Sequence, residues 1–214
     1  MICRQIHERV VKDQTITIGN FYIELLLHSV NPVGKEVLTF QWTYNRDIHA
    51  EVMTHRWSRN YSSSRAIPYE KMQAWIAEDP ALPIYVGQNQ GGMQSGEEVA
   101  NVEEFYSDLL MKQKEMAEWQ DMMVRKYNPH KEIINRFGEP WGWITGVATM
   151  GLGQYINFLG LRANAMANCN IQRLAINSLR LYKNSVPQVL DEGMWHMPYF
   201  QDYIPEGPID SRDV

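Results

Sequence analysis

Cysteine is scarce in this chain of 214 residues: Cys3 and Cys169 are the two present, and no CxxC spacing occurs. Neither a zinc ribbon nor a dithiol redox motif has a basis. The histidines His28, His49, His55, His130 and His196 show no HExxH or other metal spacing, so ordinary polar or core roles are expected of them. No run of about 18 apolar residues occurs, which excludes an obvious membrane-spanning helix. The start, MICRQIHERVVKDQ, has no apolar stretch suited to a signal peptide, and a reduced cytoplasmic setting is the expectation. A broad excess of positive charge is lacking too. The formal net charge is −5, which argues against a protein that works by gripping a nucleic-acid backbone. Repeats, low-complexity tracts and interdomain linkers are absent. With 44% hydrophobic and 21% charged residues, the chain has the composition of a globular protein, and its length can bury a sizeable core.

The patterns that are present predict one α+β domain over residues 1–214. Thr15–Ile18, Phe21–Leu27 and Val37–Tyr44 carry strand formers, punctuated by Asn31-Pro32 and Gly34. Between Asp47 and Arg56 the spacing turns helical, with Ile48, Val52 and His55 on one face. Pro68 opens a short helix, since proline fits a first helical position. Residues 83–93 are glycine-rich and read as a loop. Val102, Phe105, Leu109, Met116, Met123 and Tyr127 recur at helical intervals, predicting a long helix over 102–127. Further helices are expected after Pro129 and over Ala165–Asn184, with the tail from Pro187 wrapping the surface. Met150-Gly-Leu-Gly-Gln-Tyr-Ile156 lacks the third glycine and the setting of a dinucleotide fingerprint. Its glycines are expected to ease close packing.

Against the acidic background, THRWSRNYSSSRAIP (residues 54–68) holds three arginines, a histidine, four serines and no carboxylate. Arginine forks and serine hydroxyls suit a phosphate monoester, and a solvated loop has the same composition. Arg162, after the apolar run NFLGL, fits a structural ion pair or a cation aimed into a pocket. Arg136, in HKEIINRFGEP, admits the same two readings.

Extended leftward, Ile48-His-Ala-Glu-Val-Met-Thr-His-Arg-Trp-Ser-Arg-Asn-Tyr-Ser-Ser-Ser-Arg65 resembles the signature of flavin-dependent thymidylate synthases of bacteria and phages. Gly87-Gln-Asn-Gln-Gly-Gly-Met-Gln94, HKEIINRFGEP, NFLGLR and Gly193-Met-Trp-His-Met-Pro-Tyr199 follow in the family's order, so the resemblance spans about Leu38 to Phe200. It implies that family's fold, a mixed or antiparallel sheet with long helices. It also implies a homotetramer with shared active sites, in a bacterial cell or phage-infected host. His55, Arg56, Ser58 and Asn157 would contact FAD. Ser63, Ser64 and Arg65 would grip the nucleotide phosphate, and Arg136 would also serve the nucleotide. Glu51 would lie near the pyrimidine, and Arg162 against its ring as the activating cation.

The reaction so implied is reductive methylation of dUMP, with carbon from methylenetetrahydrofolate and hydride from FAD reduced by NADPH. One independent feature is compatible with it. Neither cysteine stands in the Pro-Cys-His context of the thymidylate synthases that attack the pyrimidine with a thiol; a fixed cation could stabilise the developing charge instead. There are departures. Thr54 replaces a common arginine, Trp57 stands where relatives have two residues, Tyr61 often aligns with glutamate, and Ala167-Asn-Cys-Asn-Ile-Gln172 loses a carboxylate and an arginine. The resemblance places these departures around the nucleotide rather than the flavin. Asn170, which can both donate and accept, opens an alternative: C5 methylation or hydroxymethylation of dCMP, or hydroxymethylation of dUMP, for modified phage DNA. A non-catalytic flavin- or nucleotide-binding tetramer is the remaining alternative.

Overall fold

The computed structural model describes residues 14–92 and 94–199; Cys3, Met93 and the chain from Phe200 onward lie outside the described residues. Alternating strand formers produce β1 (Thr15–Ile18), β2 (Phe21–Val30) and β3 (Glu36–Asn45), paired antiparallel in sequence order. Both connecting turns use glycine where the backbone is left-handed, Gly19 at φ 58° and Gly34 at φ 76°. A bulge between Leu25 and Leu27 shifts the register. His28 thereby joins Leu38 on the helix-covered face, while Ser29 joins Val37 on the other.

Apart from a two-residue strand in the tail, two strands escape the sequence reading. β4 (Ser58–Tyr61) holds one aromatic residue, and β5 (Trp143–Gly151) is interrupted by small ones. Yet β5 is central: it pairs with β3 along its whole length and with β4 on its other side. Its buried positions are Ile144, Gly146, Ala148 and Met150. Gly146 must be small because Tyr61 lies across it; a Cβ there would meet the Tyr61 ring at 1.9 Å. The sheet order is β1-β2-β3-β5-β4, with the two-residue β6 (Gln188–Val189) added parallel to β2. The sheet is therefore mixed and mainly antiparallel, and the fold is α+β.

The helices are α1 (His49–Met53), α2 (Tyr69–Glu78), α3 (Val102–Tyr127), α4 (Lys131–Ile134), α5 (Leu152–Arg162) and α6 (Cys169–Asn184). α3 has the expected bounds, but its apolar stripe is only partly covered. Phe105, Met111, Met122 and Tyr127 are exposed, whereas Gln113 and Gln120 are buried. Gln120 is satisfied there by donating to the Ile134 carbonyl at 2.7 Å. After Pro129 the chain forms only the single turn of α4 and two 3₁₀ turns. α6 starts at Cys169 rather than Ala165, because the Asn168 side chain caps it by accepting from Asn170 N at 2.8 Å.

α5 corrects the reading of MGLGQYI. β5 runs straight into the helix, and the Gln154 side chain accepts from Gly151 N at 2.9 Å. A strand-to-helix junction is present after all, but the strand is antiparallel to both neighbours, so no dinucleotide-binding βαβ unit exists. Nor do the glycines ease packing: a Cβ at Gly153 would meet open space, and one at Gly151 only ordinary contacts at 3.9 Å. α5 and α6 cover one face of the sheet over a core that includes Phe21, Phe40, Trp42, Tyr44, Tyr155 and Phe158. On the opposite face lies the described part of the tail, to Tyr199. His196 bridges Ser29 and Thr39 at 2.9 and 2.8 Å, and the Tyr199 hydroxyl donates to Gln41 at 3.1 Å. Among the described residues no helix is long and apolar enough to cross a membrane.

Candidate active site

The segment after β3 turns at once into a 3₁₀ turn (Arg46–Ile48) and α1, started by Asp47, whose side chain accepts from Ile48 N at 2.9 Å. Ile48 and Val52 point into the core, and His55 follows them inward. That is the face the spacing predicted. α1 ends at Thr54, whose hydroxyl donates to the Glu51 carbonyl at 2.6 Å. Arg162, the last residue of α5, reaches across to this segment. Its Nη1 donates to Glu51 Oε2 at 2.9 Å, and its Nε to His55 Nε2 at 3.0 Å. Nη2 donates to Thr54 Oγ1 at 3.2 Å and to the Glu51 carbonyl at 3.4 Å. Arg162 thus forms the ion pair, and two of the residues it bonds, Thr54 and His55, line a cavity.

That cavity, about 420 Å³, is lined by Thr54, His55, Arg56, Gly153, Gln154 and Asn157. Arg56 is exposed, and its own carbonyl accepts from the Gln154 side chain, which ties the 54–57 segment to α5. Thr54, Gly153 and Gln154 were not singled out as lining residues. The signal was Asn157 with positions three and four residues earlier, legible only once α5 is recognised as a helix. Ser58 falls outside the lining. It is exposed on β4 opposite Thr149, on the sheet face away from α5.

His55 is buried, stacked on Trp57 with ring centroids 5.1 Å apart and planes 7° from parallel. Burial, and after it the Arg162 charge, push its pKa down to about 4. Trp57 in turn packs edge-on to Trp42 and Phe158. Trp57 and Tyr61 were expected beside the nucleotide; instead Trp57 belongs to the core cluster and Tyr61 packs against it. The extra aromatic volume fills the space between β3, β4 and α5.

The second half of the opening motif is built separately. Ser63 and Arg65 are exposed in a turn after β4, with Arg65 Nη2 3.8 Å from the Glu132 carboxylate. Arg136 Nε donates to the Glu132 carbonyl at 3.2 Å, so both arginines converge on one residue. Asn135, fully buried, holds the two segments together by donating to the carbonyls of Ser64 and Ile67 at 2.8 and 2.9 Å. Lys131 adds a bond to the Ala66 carbonyl at 3.2 Å. Ser64 departs from expectation: it is buried and donates its hydroxyl to Glu139, which also pairs with Arg46 at 3.0 Å. Ser63, Arg65 and Arg136 are exposed here, while Ser64 shapes the turn from inside.

Asn170 is likewise committed. Its amide donates to Asp47 at 3.2 Å and accepts from Ile84 N at 3.2 Å, within a buried polar cluster. Arg173, at the same cluster, donates to Asn45 at 3.0 Å and lies 4.1 Å over the Phe21 ring. Burial pushes its pKa down to about 10, against the pull of Asp47 and Asp79. Among the described residues the other histidines are engaged as well. His28 bonds Glu36 and Ser185, His49 bonds Tyr44, and His130 caps α4. Among the described residues no three metal-ligating side chains converge.

Geometry and sheet order define an α+β fold with a cationic, helix-edged pocket, and solved structures share that fold. The chain is similar to a UMP/dUMP methylase, PolB from Streptomyces cacaoi, bound with 5-Br UMP. The TM-score is 0.58 at 14% identity, over 77% of this chain and 89% of that one. A second structure of the same methylase, bound with 5-Br dUMP, matches with a TM-score of 0.53 at 16% identity, over 69% of this chain and 66% of that one. No sequence-family model matches the chain, and no curated protein sequence does.

Proposed function

We propose that this protein methylates C5 of a pyrimidine deoxynucleotide, converting dUMP to dTMP with methylenetetrahydrofolate as carbon donor and NADPH as reductant. The carrying observation is that the two motifs meet: His55 and Arg162, 107 positions apart, bond to each other at the edge of the pocket that Arg56 and Asn157 line. The shared fold with a UMP/dUMP methylase supports the substrate class.

The pocket's donors fit a flavin. A guanidinium without an ion-pair partner among the described residues, a primary amide and the bare Gly153 suit a flat ring system bearing carbonyls and a diphosphate. Arg56 and Asn157 would hold FAD, which when bound supplies the hydride. About 420 Å³ accommodates a ring system rather than a whole dinucleotide, in keeping with sites shared among the subunits of a homotetramer. The chain's own groups do the rest. Ser63, Arg65 and Arg136 bind the phosphate. Glu51 accepts the uracil N3–H, since a carboxylate only accepts. Arg162 stabilises negative charge that develops on the ring as C5 becomes nucleophilic. The cytosine reading rested on Asn170, whose amide is spent on Asp47 and Ile84, so uracil is the base we retain.

A flavin titration followed by absorbance tests the reading. Bound FAD that is bleached by NADPH and recovers its colour on adding methylenetetrahydrofolate and dUMP is expected. A protein that takes up no flavin contradicts it.

A further inference from the structure

The Arg162 guanidinium is clamped by one stretch of chain. Nε, Nη1 and Nη2 donate to His55 Nε2, Glu51 Oε2, Thr54 Oγ1 and the Glu51 carbonyl, at 3.0, 2.9, 3.2 and 3.4 Å. A guanidinium has five N–H donors in a rigid fork, so these four bonds leave one Nη1 N–H uncommitted. Thr54 is fixed, because its hydroxyl hydrogen already goes to the Glu51 carbonyl. His55 is fixed more firmly. The residue is 5% exposed, its ring stacked on Trp57 and edge-on to Phe158 at 5.1 Å. By contrast, the Glu51 side chain is 38% exposed, and a pair of that kind is easily exchanged for another partner.

We infer that His55 is a positioning residue that acts through Arg162: its neutral ring takes the Nε–H and sets the guanidinium plane, rather than ligating the flavin. The inference rests on the proposed activity for the substrate, but not for the contact. A cation stabilises developing charge best when it need not reorganise, and Arg162 on a flexible stem would otherwise swing toward solvent. Acceptance at Nε2 places the ring proton on Nδ1. A protonated ring would set two cations face to face. The charged groups around it are Arg162 from α5, Glu51 from α1 and Arg59 from β4, which donates to the His55 carbonyl. Burial, and after it the Arg162 charge, keep the ring neutral, in the same direction as its lowered pKa.

Two substitutions and one spectrum test this. His55→Phe keeps the stacked ring and removes the acceptor; His55→Gln keeps an acceptor near the position of Nε2. We expect His55→Phe to lower kcat about 100-fold, with the nucleotide KM and flavin Kd changed less than about threefold. His55→Gln should recover at least about tenfold of that loss. The ¹⁵N spectrum of the wild-type ring, recorded without substrate, should show the Nδ1–H tautomer. A flavin Kd weakened about tenfold or more in His55→Phe, with kcat intact at saturating flavin, would make His55 a cofactor ligand and overturn the inference. Equal kcat in the two variants would also overturn it. If the wild type turns over no pyrimidine nucleotide, the activity reading falls instead, and the spectrum decides alone. An Nε2–H tautomer then refutes the contact, and an Nδ1–H tautomer upholds it.

Discussion

Arg162 joins the two motifs physically, and its removal separates binding from chemistry. Arg162→Ala should reduce turnover to background while flavin titration is unchanged, because Arg56 and Asn157 line the pocket independently; wild-type rates would remove its assigned role. At the phosphate end, Arg65 is 62% exposed and only loosely paired at 3.8 Å, so it is free to meet a ligand. Arg65→Ala should weaken dUMP binding by about 1.5–3 kcal/mol, as for a charge-assisted bond, which calorimetry would read as roughly 10- to 150-fold in Kd. His55 gives a pH signature in stability. Folded, it takes a proton only near pH 4; unfolded, near its ordinary 6.5. The unfolded chain binds more protons between these values, so stability is full above pH 6.5 and declines as pH falls toward 4, by up to about 3 kcal/mol. His49 and His196 are lowered too and act with the same sign. Urea midpoints of His55→Phe against wild type isolate the His55 share: the variant's slope over this range should be shallower.

At the scale of elements, periodicity reads well where one kind of residue repeats. β1 to β3 and α3 are legible because strand formers cluster in Thr15–Ile18, Phe21–Leu27 and Val37–Tyr44, within the observed strands, and helical spacing runs through Val102–Tyr127. β5 is not, because Gly146 and Ala148 occupy its core-facing positions and erase the alternation. The cause is a distant residue, Tyr61, whose ring needs the space over Gly146. α5 is hidden by its glycines, and with it went Gln154 and Gly153 of the pocket. The family resemblance placed His55, Arg56, Asn157 and Arg162 at one site, but their spacing alone does not, since bonds across 107 positions leave no local trace. The Tyr61–Gly146 contact is testable. Gly146→Ala should cost roughly 1–3 kcal/mol by overpacking, and less in a Tyr61→Ala background. Equal costs in both backgrounds would show that the two positions are not coupled.

For the whole molecule, the sheet's helix-covered face is a closed aromatic core, while apolar residues remain uncovered elsewhere. Phe105, Met111, Met122 and Tyr127 on α3 are exposed, as are Ile156 and Leu161 on α5. Exposed apolar area of this kind accords with assembly, and sedimentation should report four chains per particle; a monomer at micromolar concentration would contradict the shared-site account. The central claim is the chemistry at C5, and the mass of the nucleotide product tests it most directly. The protein, with FAD, NADPH and methylenetetrahydrofolate, should convert dUMP to a product heavier by one methyl group, and leave dCMP unchanged. Unchanged dUMP in the presence of bound, reducible flavin would contradict the account.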